Sequence, residues 1–574
     1  MTERRLASCQ VVPDIPSFAV DDGFRYRVPS DMPVSVGSRV RVKVGGRRVR
    51  GFVTEVFDEV GDRPLLDLDG VVGTLPSFDR RMLDLLRWCA KHYVGPLSVI
   101  CNRTVPPNVP RSRAEPASPV GGRTPTVEYL VGPAPYGMAV ADAIGDTPHG
   151  SVMVIAPSVE EVVAIAEALE RTGRKVVVAH SSLTGRGATA AWTSSATRDD
   201  IVLVGTREIA LWPMPAMVHL VVVEDARRVM RSPSTPTLGT REIAWERARR
   251  LETPLTFLGP LPSLEVIHRG AVVRAPEGRS WPLVEVMDRN EEPPSASVLL
   301  DATRSAITAV ARSGGTAFVL VPRRGYAAAY RCSACGQLRT CTVCGATVTQ
   351  PACARCATPS PACTKCSSTT WRPLGAGVGV VVDDLRRSVG DGVGSAADDK
   401  PIVVGTERDL IGRHGNQLAV AVDVDGSALA PNYRAAEDAL RTLVRLANTV
   451  ARGRGHRCIV QTSDPGQPVV EALRSGHFDD FVQTSLTARR RSGFPPSGEL
   501  IALEISSSDD PGRAVSGALA GKARLHGPAA MEDRLRWLIT APDLDDARVA
   551  LRTLVGTLRD RGARVRVDVD PFDL

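Results

Sequence analysis

The sequence predicts a multidomain α/β protein: a β-rich amino-terminal segment, two α/β lobes interrupted by a cysteine-rich insertion, and a closing α+β segment. Three observations carry this reading. The 574-residue chain is too long for one hydrophobic core, and roughly three to five domains are expected of such a length. Short Val- and Ile-rich runs followed by helix-like patterns recur between Val127 and Asp464, as strands do when a parallel sheet is covered on both faces. Eight of the twelve cysteines crowd between Cys332 and Cys366, inside the second set of these runs.

Taken in order, residues 1–108 read as β-rich. In "SRVRVKVGGRRVRGFV", Arg39, Arg41 and Lys43 alternate with Val40, Val42 and Val44, and Gly45-Gly46 supplies a two-residue hairpin turn. Such a hairpin has one apolar and one cationic face, and Arg39, Arg41, Lys43, Arg47 and Arg48 suit phosphate contacts as well as they suit a solvated surface. A helix follows at about 78–94, where Met82, Leu85, Leu86 and Cys89 recur at helical spacing. "VPPNVPRSRAEPASPVGGRTPT" is a Pro-, Arg- and Ser-rich linker, placed at 109–126. The first lobe, 127–275, contains the runs "SVMVIAPS", "KVVVAHSS", "DIVLVGTREIAL", "VHLVVVEDARR" and "LTFLGPLPSLEVI". The second lobe begins at 276–330 and resumes at 373–484, with the cysteine module at 331–372 between and the α+β segment at 485–574.

The bulk numbers bound the partners. A hydrophobic fraction of 43% and a charged fraction of 24% are ordinary for a globular chain, and no apolar run approaches the ~18 residues of a membrane span. "MTERRLASCQ" lacks the apolar core of a signal peptide, so a cytoplasmic location without a membrane partner is expected. The net charge of +7 permits an anionic partner. Aromatic residues at 4% argue against a surface built mainly of base-stacking platforms.

The cysteine module has four C-x-x-C pairs: Cys332/Cys335, Cys341/Cys344, Cys353/Cys356 and Cys363/Cys366. Each turn aims two thiolates at one ion, and two turns complete a tetrahedral S₄ site, so two structural Zn²⁺ ions are expected. A disulfide framework and an iron–sulfur cluster are the rival readings. Gly336 and Gly345, each following the second cysteine of a pair, favour zinc-knuckle turns. Spacing leaves nested and sequential pairing of the four turns equally open.

"VEYLVGPAPYGMAVADAI" has the outline of a phosphate-binding loop, with Gly132 and Gly137 four residues apart between a strand-like and a helix-like run. Its Lys and Ser/Thr positions hold Met138 and Ala139, and Pro133 and Pro135 have no N–H to offer a phosphate.

In this order, these pieces resemble the PriA family of bacterial replication-restart proteins over nearly the whole chain. The most specific stretches are "VPRRGYAAAYRCSACG" leading into the cysteine pairs, "DVDGSALAPNYRAAE", "VGTREIALW", "RRRSGFPPSGELIALE" and the closing "VDVDPFDL". The resemblance implies RecA-like lobes and an amino-terminal domain that holds the 3′ end of nascent DNA. It also implies recognition of forked and single-stranded DNA by structure rather than sequence. Primosome proteins and the replicative helicase are the implied protein partners, with the single-stranded-DNA-binding protein as a further candidate and a nucleoid-associated location. Carried over from the family, one zinc site is Cys332, Cys335, Cys363 and Cys366, and the inner one is Cys341, Cys344, Cys353 and Cys356.

The family is one of ATP-driven helicases, and this chain departs from it at each catalytic motif. Besides Met138 and Ala139, the D-E-E-H box reads Glu224-Asp225-Ala226-Arg227, and "GPLPS" stands for the serine–alanine–threonine motif. Ile411 falls where a lysine is expected, and the arginine-finger motif has become "RLANTVARGRG". There is no room between the linker and the first lobe for the family's winged-helix domain. In the terminal-nucleotide pocket, Phe24 is followed by Arg25 instead of Asp, the pocket glycine falls at Gly45, and a pocket lysine falls at Asp69. The expectation is a fork-binding restart protein without helicase activity or ATP, its DNA affinity drawn from the hairpin with Arg323, Arg324 and Arg489–Arg491. The alternatives are an unusual ATPase working through Glu224 or Asp225, and a protein-interaction scaffold around two zinc ions.

Overall fold

The computed structural model describes residues 7–59, 64–120, 124–145, 149–276, 281–292, 297–322, 330–346, 348, 351–353, 356, 358–373, 377–430, 432–507, 509–531 and 533–573. Arg323, Arg324 and most of the "VPRRGYAAAY" stretch lie outside these residues. The chain divides into two compact units, Met1–Arg274 with Arg489–Pro571, and Ala275–Ala488 with Phe572–Leu574.

The first unit opens with strands β1 (Ser8–Pro13), β2 (Phe24–Arg27), β3 (Arg39–Val44), β4 (Arg47–Phe57) and β5 (Gly70–Val71), in the order β2-β1-β4-β3-β5. The tight turn between β3 and β4 is Gly45-Gly46, with φ of 55° and 80°, a backbone that residues with a Cβ rarely adopt. The sheet curls toward closure. An isolated bridge joins Arg27 to Asp67, while the N–H of Leu68 donates to Arg27 O and that of Asp69 to Arg41 O. Cys9, Val11, Val40, Val42 and Val53 fill the inside. The helix Arg80–His92 starts on an Asp79 cap, whose carboxylate accepts from Met82 N at 2.7 Å, and buries Met82, Leu83, Leu85, Leu86, Cys89 and Ala90.

Seven strands follow: β6 (Val127–Val131), β7 (Ser151–Ile155), β8 (Val176–Ala179), β9 (Val202–Gly205), β10 (Met217–Val223), β11 (Leu255–Gly259) and β12 (Val272–Arg274). Their order is β12-β6-β11-β10-β7-β9-β8, and every pairing is parallel. All residues of β7, β9, β10 and β11 are buried, as continuous Val/Ile/Leu runs require.

The second unit carries β13 (Leu283–Asp288), β14 (Ala317–Leu320), the short pair β15 (Tyr330–Cys332) and β16 (Trp371–Pro373), then β17 (Val393–Ser395), β18 (Ile402–Gly405), β19 (Leu418–Ala421) and β20 (Arg457–Thr462). Its parallel sheet runs β13-β20-β19-β14-β18-β17, and the β15–β16 ladder closes the cysteine module as an insertion in this second α/β lobe.

The chain ends on an antiparallel sheet, β21 (Glu499–Ser506), β22 (Arg524–Met531), β23 (Arg534–Ala541) and β24 (Arg564–Val569), ordered β22-β23-β21-β24, with helices Gly512–Leu519 and Asp545–Asp560 in a βαββαβ sequence. Most of this segment packs into the first unit. Arg548, 2% exposed, donates to His92 O at 3.1 Å and pairs with Glu499 at 2.8 Å and 3.0 Å. Arg552 pairs with Asp21, and Arg231 of the first lobe pairs with Asp568. One apolar core runs from Phe78 and Leu86 through Phe257 to Trp537 and Leu551.

Candidate DNA-binding, metal and nucleotide-like sites

The β3–β4 register sets the cationic face. Arg41 lies opposite Arg50, and Lys43 opposite Arg48, all four on the face away from buried Val40 and Val42. Arg41, Lys43, Arg47, Arg48 and Arg50 are exposed. Arg39 departs from the alternation reading. It shares the face, but its cross-strand partner is Phe52, which packs tilted against Phe78 with ring centroids 5.9 Å apart, so this end of the face is covered and Arg39 is buried. Burial draws its guanidinium below the ordinary range.

Asp69 stands at the open end, 3.1 Å from Arg48 Nε and 3.9 Å from Lys43 Nζ. Among the described residues no ion pair involves Arg41, Arg47 or Arg50. Phe24 is 42% exposed at the start of β2. Arg25 is turned back: its Nε donates to Ser8 Oγ at 2.9 Å and its guanidinium lies 4.1 Å over the Phe57 ring. Gly45 is a turn residue with open space around it. Of the tail arginines, Arg489 is buried, while Arg490 and Arg491 are exposed.

The cysteine module gathers its sulfurs into two groups, Cys332, Cys335, Cys363 and Cys366, and Cys341, Cys344, Cys353 and Cys356, each with all ligand atoms within 4.8 Å. Paired Sγ atoms lie 3.4 Å apart for Cys332–Cys366 and Cys341–Cys356, and 3.6 Å apart for Cys335–Cys363 and Cys344–Cys353. A disulfide needs ~2.05 Å, and the edge of a tetrahedron with ~2.3 Å metal–sulfur bonds is ~3.8 Å, so the donor set fits a tetrahedral metal and not a pair of disulfides. Gly336, Gly345 and Ser367 take left-handed backbone, with φ of 72°, 71° and 59°. Their N–H groups return to the carbonyls of Cys332, Cys341 and Cys363. The N–H groups of Cys344 and Val343 draw the Cys341 thiol down, whereas the neighbouring sulfurs Cys353, Cys356 and Cys341 push Cys344 up, so the crowded sulfurs titrate together. Beside Cys332, Arg331 pairs with the buried Asp425 at 3.1 Å, and this carboxylate also accepts from Gln467 Nε2 at 3.0 Å and Ser463 N at 2.9 Å. The module is thereby tied to its lobe.

The nucleotide-like loop is not shaped by its glycines in the way a phosphate loop is. Neither Gly132 nor Gly137 has positive φ. Gly137 is required by packing, since a Cβ there would lie 2.3 Å from Ala168 Cβ on the helix Val159–Arg171. Met138 is 59% exposed and Ala139 half-buried. Tyr136, which sequence reasoning passed over, is buried in the core of the lobe, and its hydroxyl donates to Glu224.

Both surviving carboxylates are engaged, with side chains only 1% exposed. Glu224, held at φ 46°, faces Arg227 at 3.5 Å, and Arg227 also binds Glu161 through contacts of 2.8 Å and 2.7 Å. Asp225 accepts from Ser263 Oγ at 2.6 Å and faces Arg241 at 3.5 Å. Glu224 and Asp225 thus sit in a buried polar network, in which Ser263 of "GPLPS" and Arg227 are engaged internally. In the second unit, Arg445 is likewise committed, to Glu407 at 2.9 Å, while Arg454 is exposed.

Residues 10–106 match the family described as 3′DNA-binding domain (3′BD). The chain is similar to bacterial proteins named replication restart protein PriA over most of its length. It is 25% identical to the probable replication restart protein PriA of Mycobacterium leprae, covering 97% of this chain and 99% of the relative. For that of Mycobacterium tuberculosis the values are 26%, 91% and 89%. The match to the Synechocystis protein, 24% identical, spans 63% of this chain and half of the relative's length. Among solved structures, RecG bound to a three-way DNA junction superposes with a TM-score of 0.38 at 10% identity, covering 72% of this chain and 47% of RecG.

Proposed function

We propose that this protein binds branched and single-stranded DNA at abandoned replication forks and promotes restart there, as a restart protein that does not use ATP. The observation that supports this most is the coincidence of the 3′DNA-binding-domain match with a hairpin whose open face is cationic. Arg41, Lys43, Arg48 and Arg50 would neutralise phosphates along one strand and release their counterions, a recognition blind to sequence, while Arg47, opposite Val44, lies on the other face of the hairpin. Because Arg25 is committed to Ser8 and Phe57, selection of a 3′ terminus through the family's Phe-Asp pair is not expected.

Zinc is the metal we assign to the two sulfur sets, since four thiolates leave no position for water and make a closed structural site. The ions would hold the module rigid as a platform, and primosome proteins and the replicative helicase are the partners such a platform would serve, in the cytoplasm. The reading without ATP is supported by the loss of the loop's Lys and hydroxyl, together with the engagement of Glu224 by Tyr136 and Arg227. Turnover through Glu224 or Asp225 would require breaking that buried network before any phosphate could approach.

The test is a titration of forked, single-stranded and duplex DNA at several salt concentrations, paired with equilibrium ATP binding. Forked or single-stranded DNA should bind more tightly than duplex. With the four cations of the face engaged, log K should fall against log salt with a slope of about −3 to −4. ATP should not bind at millimolar concentration. DNA binding that ignores salt, or that prefers duplex, would overturn the DNA reading; DNA-stimulated phosphate release abolished by Glu224→Gln would restore the ATPase.

A further inference from the structure

On the cationic face, like charges oppose each other across the ladder, Arg41 against Arg50 and Lys43 against Arg48, an arrangement that destabilises an antiparallel pair. Among the described residues, only one of the two rungs carries a counter-charge. Asp69 places one carboxylate oxygen 3.1 Å from Arg48 Nε and the other 3.9 Å from Lys43 Nζ, and its side chain is only 17% exposed, against 73% and 50% for the two cations.

Asp69 is not a passing surface side chain. Its backbone N–H is bound to Arg41 O at 2.9 Å, the preceding Leu68 is buried in the core inside the curled sheet with its N–H on Arg27 O at 3.0 Å, and the following Gly70 pairs with Arg41 in the β3–β5 ladder. The carboxylate is therefore held rigidly over one rung while the other rung is left as an open dication. The rungs are two residues apart along the strand, ~6.8 Å, the scale that separates neighbouring phosphates of one nucleic-acid strand.

We infer that Asp69 is a built-in competitor for the phosphate backbone: a strand docks first on Arg41 and Arg50, and its next phosphate engages Lys43 and Arg48 only by displacing the Asp69 carboxylate. This rests on the DNA-binding reading above. Asp69 would set affinity and salt dependence without itself touching the nucleic acid, discriminating against isolated anions that cannot occupy both rungs together.

The experiment compares the full chain with Asp69→Asn on the same fluorescent single strand. Removing two exposed pairings should tighten binding by about three- to tenfold, and the slope of log K against log salt should steepen by about one. In a Lys43→Ala/Arg48→Ala background the same Asp69→Asn change should have little effect, because the cations it masks are gone. Circular dichroism and thermal melting of each variant establish that the fold is retained. Three results overturn the inference: unchanged affinity in folded Asp69→Asn, weaker binding in it, or an equal gain in the Lys43→Ala/Arg48→Ala background, the mark of a net-charge effect. A parent chain that binds no DNA would sink the underlying reading instead.

Discussion

Replacing Tyr136 with Phe tests whether the turn between β6 and the helix Gly137–Ile144 is a structural lock. The substitution keeps the ring that fills the core of the first lobe and deletes only the hydroxyl that donates to Glu224. A hydrogen bond to a charged group contributes ~1.5–3 kcal/mol, and Arg227, 3.5 Å from Glu224, is too distant to replace it fully, so a loss of about 2 kcal/mol is expected. Native-state hydrogen exchange is the suitable assay, because a chain of several domains does not unfold in one step. Amides of the helix Gly137–Ile144 and of β10 should exchange roughly thirtyfold faster if they open with this network. Adding Glu224→Gln should cost much less in the Tyr136→Phe background than in the parent, because the two groups are in contact. Exchange within a factor of two of the parent, or fully additive costs, would refute the lock.

Two further outcomes follow from the geometry. The parent should hold two equivalents of zinc and Cys335→Ser one, with a strong chelator exposing residues 331–372 to proteolysis first; a parent stoichiometry other than two would contradict the paired sulfur sets. Acid should weaken the first unit through His92, whose imidazole is drawn down to about 3 by burial and then by Arg548, against the opposing pull of Glu242 and Glu499. The unfolded chain takes up this proton below about pH 6.5 and the folded one does not, so stability is full above that pH and falls by up to ~1.4 kcal/mol per unit toward pH 3. Glu242, held to about 2 despite its burial by Arg241 and Arg269, adds its own loss only at lower pH, so His92→Gln should flatten the profile between pH 6.5 and 5.

Much of the architecture was legible because it rests on local chemistry. Gly45-Gly46 announced a turn needing positive φ, the Val/Ile runs announced parallel strands, and the C-x-x-C spacing announced metal turns. Other features depend on contacts between residues distant in sequence. Nothing in the alternation of β3 says that Phe52 and Phe78 cover the Arg39 end of the face, so that residue was grouped with exposed cations. Gly137 looked like a loop glycine, but its constraint is Ala168 on the next helix. Tyr136 carries no motif, and its role emerges only when β10 brings Glu224 beneath it. Arg548, Arg552 and Arg231, which join the carboxy-terminal segment to the first unit, likewise bind groups hundreds of positions away.

The nesting of the two sulfur sets bears on the order in which the module assembles. Cys341 and Cys356 are 15 positions apart and Cys332 and Cys366 are 34, so drawing the outer pair together first costs roughly 0.7 kcal/mol more chain entropy. Once the inner knot has formed, it shortens the slack the outer pair must close. Assembly from the inside outward is thus the easier route, and a half-loaded module would keep its metal at Cys341, Cys344, Cys353 and Cys356 while its outer turns, which include the strand bearing Arg331, stay loose from the lobe.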